Sequence, residues 1–255
     1  MLAALAVFCF TSCYYNKRMV YFQNKDFSEA FATPIRNQAD MYRLRPNDVL
    51  SVKVKSSTEP ALSDIFNITP STNFMNVDAG NLFLQGYSLD QEGAINLPIL
   101  GRVVLRDLTV EQAQTLIQQR ANEYLNNATV IVKLVSFKVT VLGEVGRPGY
   151  YYAFNNQLTL PEALGMAGDL TERGNRKKVK LIRQTPTGSE VVMLDLTDSN
   201  VLKSKYYFMM PNDVLYVEPF RANTGRSNIQ LLTLVFSGLT TGILVLNYIE
   251  NRNDN

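Results

Sequence analysis

The segment Leu44-Arg45-Pro46-Asn47-Asp48-Val49-Leu50-Ser51-Val52-Lys53-Val54 joins a turn to a strand. Pro46 presets one turn torsion, and Asn47 and Asp48 favour turn geometry. From Leu50 onward apolar and polar residues alternate, which predicts a sheet strand. The pentapeptide Pro-Asn-Asp-Val-Leu recurs at Pro211 to Leu215. We therefore predict that one device, a turn feeding a strand, is used twice; the alternative is coincidence within a common turn type.

The two aspartates of the repeat, Asp48 and Asp213, invite comparison with a catalytic carboxylate pair. Each follows Pro-Asn directly, where an aspartate side chain accepts hydrogen bonds from the turn backbone. We therefore predict that both residues stabilise turns.

Two units of mixed helix and strand are predicted on either side of residue 137. In residues 42–137, a capping box at Thr109 and Gln112 opens a helix between strands, while residues 56–90 are polar and read as an irregular insertion. In residues 138–220, a second capping box at Thr159 and Glu162 opens a short helix that stops at Gly168. The predicted fold class is α+β, and the second unit has the strand–strand–helix–strand–strand order of a β-grasp-like domain.

Composition excludes several classes of protein. The chain has no histidine, which removes Ser-His-Asp and Cys-His catalysis and histidine-containing zinc sites. A net charge of +2 without a long basic run argues against nucleic acid as a partner. A glycosidase needs two carboxylates facing a cleft, but the acidic residues fall mainly in turns and caps. We predict a protein that is not an enzyme and that has no cofactor or metal site.

The first residues predict export from the cytoplasm. Leu2 to Phe10 is an apolar stretch of signal-peptide length, closed by Thr11-Ser12-Cys13. Small residues before a cysteine resemble the lipobox of bacterial lipoproteins, which predicts a signal peptide at 1–12, lipid attachment at Cys13 and a tether at 13–41. The alternatives are an ordinary secretory signal or a buried helix with an incidental cysteine.

An uncharged run from Ser227 to Ile249 predicts a membrane-spanning helix. As a helix it would be about 35 Å long, enough to cross a bilayer. At 100° per residue, one stripe of this helix holds most of its polar side chains. They are Gln230, Thr233, Ser237, Thr240, Thr241 and Asn247.

A polar stripe facing lipid would leave hydrogen-bonding groups without partners, whereas a ring of helices offers a wet lumen or a neighbour. Gly238 and Gly242 form a GxxxG step on the flank of the stripe, where a second helix can approach closely. We predict that these residues and the stripe line a pore or make helix contacts. A single anchor that tolerates small polar residues is the alternative.

Two further clusters have a structural and a functional interpretation. The basic residues Arg173, Arg176, Lys177, Lys178, Lys180 and Arg183 suit either an acidic polysaccharide or a solvated loop and strand edge. The run Tyr150-Tyr151-Tyr152 suits either sugar stacking or ordinary strand packing. We favour the structural interpretation for both.

The order of these motifs resembles the outer-membrane polysaccharide export lipoproteins of Gram-negative bacteria. The first unit is similar to their export domain through Leu44 to Leu50, Gly93-Ala94-Ile95-Asn96-Leu97-Pro98-Ile99-Leu100-Gly101 and Leu108-Thr109. The second is similar to their soluble-ligand-binding β-grasp domain (SLBB) through Val141 to Val145, Arg147-Pro148-Gly149, Leu160 to Leu164 and Ala167-Gly168.

The resemblance implies a role that composition does not show. Such proteins form rings, octamers in the best-known members, whose terminal helices build a barrel through the outer membrane. Capsular or extracellular polysaccharide passes through the ring from an inner-membrane co-polymerase, often linked to a tyrosine kinase. The longest members carry additional β-grasp domains, whereas one is found here. The competing hypothesis is a periplasmic adaptor, anchored to the membrane, that binds a partner and conducts nothing.

Overall fold

The computed structural model describes residues 19–24, 27, 31–37, 40–67, 85–220 and 225–253. The chain divides into one unit that extends to Glu218 and a second that begins at Pro219, and each is described by itself. The strands are β1 (Val49–Ser56), β2 (Tyr87–Ser88), β3 (Ala94–Leu97), β4 (Gly101–Val104), β5 (Ala128–Leu134), β6 (Lys138–Gly143), β7 (Gly149–Tyr152), β8 (Leu158–Thr159), β9 (Gly174–Thr185), β10 (Gly188–Leu194), β11 (Phe208–Met209) and β12 (Val214–Pro219). The helices are α1 (Pro60–Asp64), α2 (Val110–Ala121), α3 (Leu160–Met166) and α4 (Gly225–Asn253), with a 3-10 helix at Ser199–Lys203. The predicted mixture of helices and strands is confirmed.

The part of the chain up to Glu218 contains two hydrophobic cores. The first lies under the sheet β2-β1-β5, with α2 and the β3-β4 hairpin packed around it. Leu50, Val103 and Ile117 are fully buried there. The second begins at Phe137 and lies under the sheet β10-β9-β12-β6-β7. Leu134 packs against both cores, so the chain passes from one to the other over residues 134–137.

The first copy of the repeated pentapeptide forms a closed turn before β1. Asp48 donates its backbone N–H to the Arg45 carbonyl at 3.1 Å, and its Oδ2 accepts the Arg45 N–H at 2.8 Å. Asn47 occupies the left-handed region with φ of 70°, which asparagine tolerates better than most residues. The Tyr42 hydroxyl donates to Asp48 Oδ2 at 2.9 Å. Burial raises the pKa of Asp48 above its usual range, against the opposing effect of these donors.

The second copy forms the same turn before β12. Asp213 donates its N–H to the Met210 carbonyl at 3.1 Å and accepts the Met210 N–H on Oδ2 at 2.7 Å. Asn212 has φ of 66°. The predictions that the repeat marks one structural device and that both aspartates stabilise turns are confirmed.

Both predicted capping boxes are present, and the end of α3 is closed as well. Thr109 Oγ1 accepts the Gln112 N–H at 3.3 Å, while Gln112 Oε1 accepts the Thr109 N–H at 3.0 Å. Thr159 and Glu162 repeat this exchange at the start of α3. After α3, Gly168 has φ of +74° and Asp169 donates its N–H to the Leu164 carbonyl at 2.9 Å. This pattern is a Schellman motif, and it explains the predicted stop at Gly168.

The prediction of an irregular insertion at 56–90 is wrong at both of its described ends, since Tyr87–Ser88 form β2 and pair with β1. Residues 60–64 form α1, and Phe66 beyond it is buried in the first core. The Asn67 side chain accepts the Val54 N–H and donates to the Val54 carbonyl, both at 2.9 Å. One amide thus pairs with β1 as a neighbouring strand would. Residues 68–84 lie outside the described ranges.

The second sheet is mixed. Strands β12 and β6 are parallel, whereas β6 pairs with β7 and β9 pairs with β10 in the antiparallel sense. Strand β9 begins at Gly174 and lies between β10 and β12. Five of the six basic residues therefore lie in a strand inside the sheet, whereas Arg173 lies in the turn before it.

Tyr21 and Phe22, ahead of the first core in the chain, pack against the second core. Phe22 donates its N–H to the Leu196 carbonyl at 2.9 Å, and Gln23 donates to Thr197 at 2.7 Å. The Tyr21 ring lies over the buried Arg176 guanidinium, with 5.0 Å from centroid to Cζ.

Candidate functional site

Helix α4 carries most of the predicted site residues. It extends over Gly225–Asn253, about 43 Å at 1.5 Å per residue. Its segment Thr233–Glu250 has a mean hydropathy of 1.3 and is long and apolar enough to cross a bilayer. Cys13, the predicted lipid attachment residue, and the side chain of Gln230 lie outside what the structure describes.

Three hydroxyls of the stripe, those of Ser237, Thr240 and Thr241, bond to their own helix. Ser237 Oγ donates to the Leu234 carbonyl at 2.9 Å, and Thr241 Oγ1 donates to the Ser237 carbonyl at 2.8 Å. Thr240 Oγ1 lies within 3.0 Å of the carbonyls of Phe236 and Ser237. Such bonding back to the preceding turn satisfies a hydroxyl without an outside partner. The premise that these hydroxyls lack partners within the helix is therefore wrong, whereas their placement at a lumen or a helix contact stays a prediction.

The glycines of the GxxxG step leave an open surface on α4. A Cβ placed on Gly238 or Gly242 would meet no atom within 4 Å. Large apolar side chains near them are mostly exposed, Leu234 by 71% and Leu239 by 58%. Helix α4 thus presents a hydroxyl-bearing face and a set of exposed apolar side chains on its other faces.

The basic cluster is split by the fold. Lys177 and Lys178 are exposed, but Arg176 and Arg183 are 4% and 7% exposed. The expectation of a solvated cluster is therefore wrong for these two arginines. Arg183 falls in phase with Val179 and Leu181 along β9, so strand alternation carries it into the core. That alternation is the signal in the sequence that identifies Arg183 as an inward-facing residue.

The buried Arg183 pairs with the aspartate of the second repeat. Its Nη2 lies 2.7 Å from Asp213 Oδ2, and its Nε donates to Asp213 Oδ1 at 3.0 Å. Burial raises the pKa of Asp213, while Arg183 and the Met210 N–H act in the opposite direction. Asp48 accepts the Arg45 N–H and Asp213 accepts the Met210 N–H, so each carboxylate is engaged with its own turn rather than with the other as a catalytic pair.

The tyrosine run lies on β7, an outer strand of the second sheet. Tyr151 packs against the core, while Tyr150 is 67% exposed and meets Tyr152 edge to face, with ring centroids 5.9 Å apart. Because these two rings are nearly perpendicular, they form no flat platform for a sugar. We therefore keep strand packing, rather than sugar stacking, as the role of the tyrosine run.

Within the described ranges, no three histidine, cysteine, aspartate or glutamate side chains gather as metal ligands would.

Two known families match successive parts of this chain. Residues 36–135 match the family described as polysaccharide biosynthesis/export protein, and residues 137–217 match the SLBB domain. The EPS I polysaccharide export outer membrane protein EpsA of Ralstonia nicotianae is 26% identical over 154 residues, which cover 59% of this chain and 40% of that protein. The match therefore spans less than half of that relative's length. The export family matches the residues of the first core, and the SLBB domain matches those of the second. This chain therefore belongs to the polysaccharide export family whose export domain is followed by an SLBB domain.

Proposed function

We propose that this protein is a subunit of an oligomeric outer-membrane conduit that carries capsular or extracellular polysaccharide to the cell surface. Family membership and the relative EpsA, named as an outer-membrane export protein, support the export role and the outer-membrane location. The observation that carries the conduit is α4, whose exposed length pairs an aligned hydroxyl face with an apolar face.

The assembly follows from the surface of α4. In a ring of parallel copies, the apolar face meets lipid and the Gly238–Gly242 step allows close approach of the next helix. The face bearing Thr233, Ser237 and Thr241 then borders water. Since the hydroxyls of Ser237 and Thr241 already donate to the helix, they offer a polymer only weak, exchangeable hydrogen bonds, which suits passage rather than retention.

The remaining parts of the proposal concern anchoring and partners. Lipid attachment at Cys13 would hold the amino-terminal end in the membrane, with residues 13–41 as tether and most of the chain in the periplasm. The domains at 42–137 and 138–220 would enclose the vestibule and receive polymer from an inner-membrane co-polymerase and its tyrosine kinase. The mixed sheet with parallel neighbours β6 and β12 supports a β-grasp-like fold for the second domain. No step requires a covalent change in the polymer, so the protein acts as a transporter and not as an enzyme.

The decisive experiment separates anchoring from conduction. One variant lacks residues 227–255, and a second replaces 227–249 with an all-leucine helix of the same length. The conduit predicts that both variants accumulate but lose surface polysaccharide. Normal export by the leucine-anchored variant would refute it and support the adaptor.

Two further measurements test the remaining parts. The conduit requires a closed ring of many subunits in detergent, whereas a monomer or dimer fits an adaptor. Cys13→Ser should abolish metabolic labelling with radioactive palmitate, while Cys9→Ser should leave it unchanged.

A further inference from the structure

The two domains meet at a cavity of about 180 Å³ that the export role does not assign. Its floor is apolar and comes from both cores: Val110 opens α2, Phe137 follows the linker, and Met209 lies on β11. All three are buried, so the floor belongs to the packed interior and is fixed by it.

The rim of this interdomain cleft is polar. Asp40 and Glu111 contribute carboxylates, and Asn156 and Gln157 contribute amides; all four are exposed. Asn156 Nδ2 donates to Glu111 Oε1 at 3.3 Å, which joins the second domain to the first across the opening. Among the described residues that line the cleft, none carries a positive charge.

Both repeated turns hold residues that line the cleft. Tyr42 lines it and is fixed by its hydroxyl, which donates to the buried Asp48. Met210 and Pro211 line it as part of the second turn, which Asp213 holds through the Met210 N–H. The walls are therefore preorganised, and a ligand need not order them on binding.

The dimensions and chemistry select a ligand class. A cavity of about 150 Å³ accepts a benzene ring, so this one has room for a single six-membered ring. A pyranose presents an apolar C–H face to a floor such as this one and hydroxyls to carboxylates and amides at the rim. Two carboxylates without a cation disfavour an acidic sugar, because like charges repel.

We propose that the interdomain cleft binds one uncharged pyranose residue. The choice of a sugar rests on the proposed export function, whereas the cavity, its charge and its walls do not. Binding would be weak, with a millimolar Kd, since one sugar ring makes few contacts and a transporter must release it.

The test uses the full-length protein in detergent and saturation-transfer NMR. The probes are the methyl glycosides of glucose, galactose and mannose, with methyl glucuronide as the charged comparison. We expect saturation transfer to at least one neutral probe and at least tenfold weaker binding of the glucuronide. Absence of binding by all three neutral probes, or equal binding of the glucuronide, overturns the inference.

A pair of variants locates the site. Gln157→Trp places an indole over the opening and should weaken binding at least tenfold, while Gln119→Trp, on the exposed face of α2, should leave it unchanged. Equal circular dichroism spectra establish that both variants fold. Binding that survives Gln157→Trp overturns the assignment to the cleft. A protein that exports polymer but binds no probe refutes the cleft alone, and one that binds the probe without exporting polymer refutes the conduit alone.

Discussion

Arg183 and Asp213 form an ion pair inside the second core, with Nη2 and Oδ2 2.7 Å apart and side chains 8% and 0% exposed. Arg183 Nη2 also donates to the Phe208 carbonyl at 2.9 Å. One guanidinium thus fastens β9 to β11 and to the turn that opens β12. That turn forms one wall of the interdomain cleft, so the ion pair sets the shape of the cleft as well as supporting the fold.

Removing the arginine alone should strongly destabilise the protein. Arg183→Met leaves Asp213 charged and buried, which typically costs about 3–5 kcal/mol. Chemical denaturation followed by circular dichroism measures the loss. The matched control is Lys180→Met, since Lys180 and Glu218 are also 2.7 Å apart but 38% and 24% exposed; we expect a loss below about 1 kcal/mol there. Arg183→Met combined with Asp213→Asn should recover part of the stability, and equal losses for both single variants would contradict the account.

The buried Asp48 should contribute more to the free energy of unfolding at low pH than at neutral pH. Because its pKa is raised in the folded state, the folded protein takes up the proton before the unfolded chain does as the pH falls. Its contribution to the free energy of unfolding therefore rises as the pH falls through the folded pKa and is complete below the unfolded value of about 3.9. The stability of wild type minus that of Asp48→Asn should increase between pH 7 and pH 4.

Asp90 supplies a control of opposite sign for this measurement. The backbone N–H of Ala94, and then Arg102, lower the pKa of Asp90. Its stabilising contribution is present at neutral pH and is lost as the pH falls through the lowered pKa. The difference between wild type and Asp90→Asn should therefore shrink on acidification. If both stability differences changed with pH in the same direction, burial would not control the pKa of Asp48.

Substitutions at Asn212 can test whether the repeated turn requires a residue that tolerates positive φ. Asn212→Gly should change stability little, since glycine adopts positive φ freely. Asn212→Val should cost about 1–2 kcal/mol because its Cβ crowds the carbonyl in that conformation. Ser189→Val on the exposed part of β10 is the control and should be neutral or slightly stabilising. If Asn212→Val did not lower stability, the turn must be able to adopt another backbone conformation at this position.

The hydroxyl face of α4 should matter for export but not for insertion. Ser237→Leu with Thr241→Leu removes two hydroxyls that donate to carbonyls of their own helix, so accumulation in the membrane should be unchanged. If that face borders water, surface polysaccharide should fall at least tenfold. Val235→Leu on the apolar face is the control. Export that persists in the double variant would argue against a pore lined by this face.

Local sequence determined the parts of this protein whose cause lies within a few residues. The repeated pentapeptide, the boxes at Thr109 and Thr159 and the stop at Gly168 were all predictable, because turns and caps are made by neighbours in the chain. The uncharged run likewise predicted α4, since a span depends on length and composition.

Tertiary structure alone decided which groups are brought together across long stretches of chain. The partners Arg183 and Asp213 lie 30 residues apart in the sequence. Asn67 returns to pair with β1, and the residues that line the cleft come from both domains. Helix α4 also corrected the sequence argument, because its hydroxyls reach carbonyls one turn back. Periodicity tells which side of an element a residue occupies, whereas the group that meets it there depends on how the elements pack.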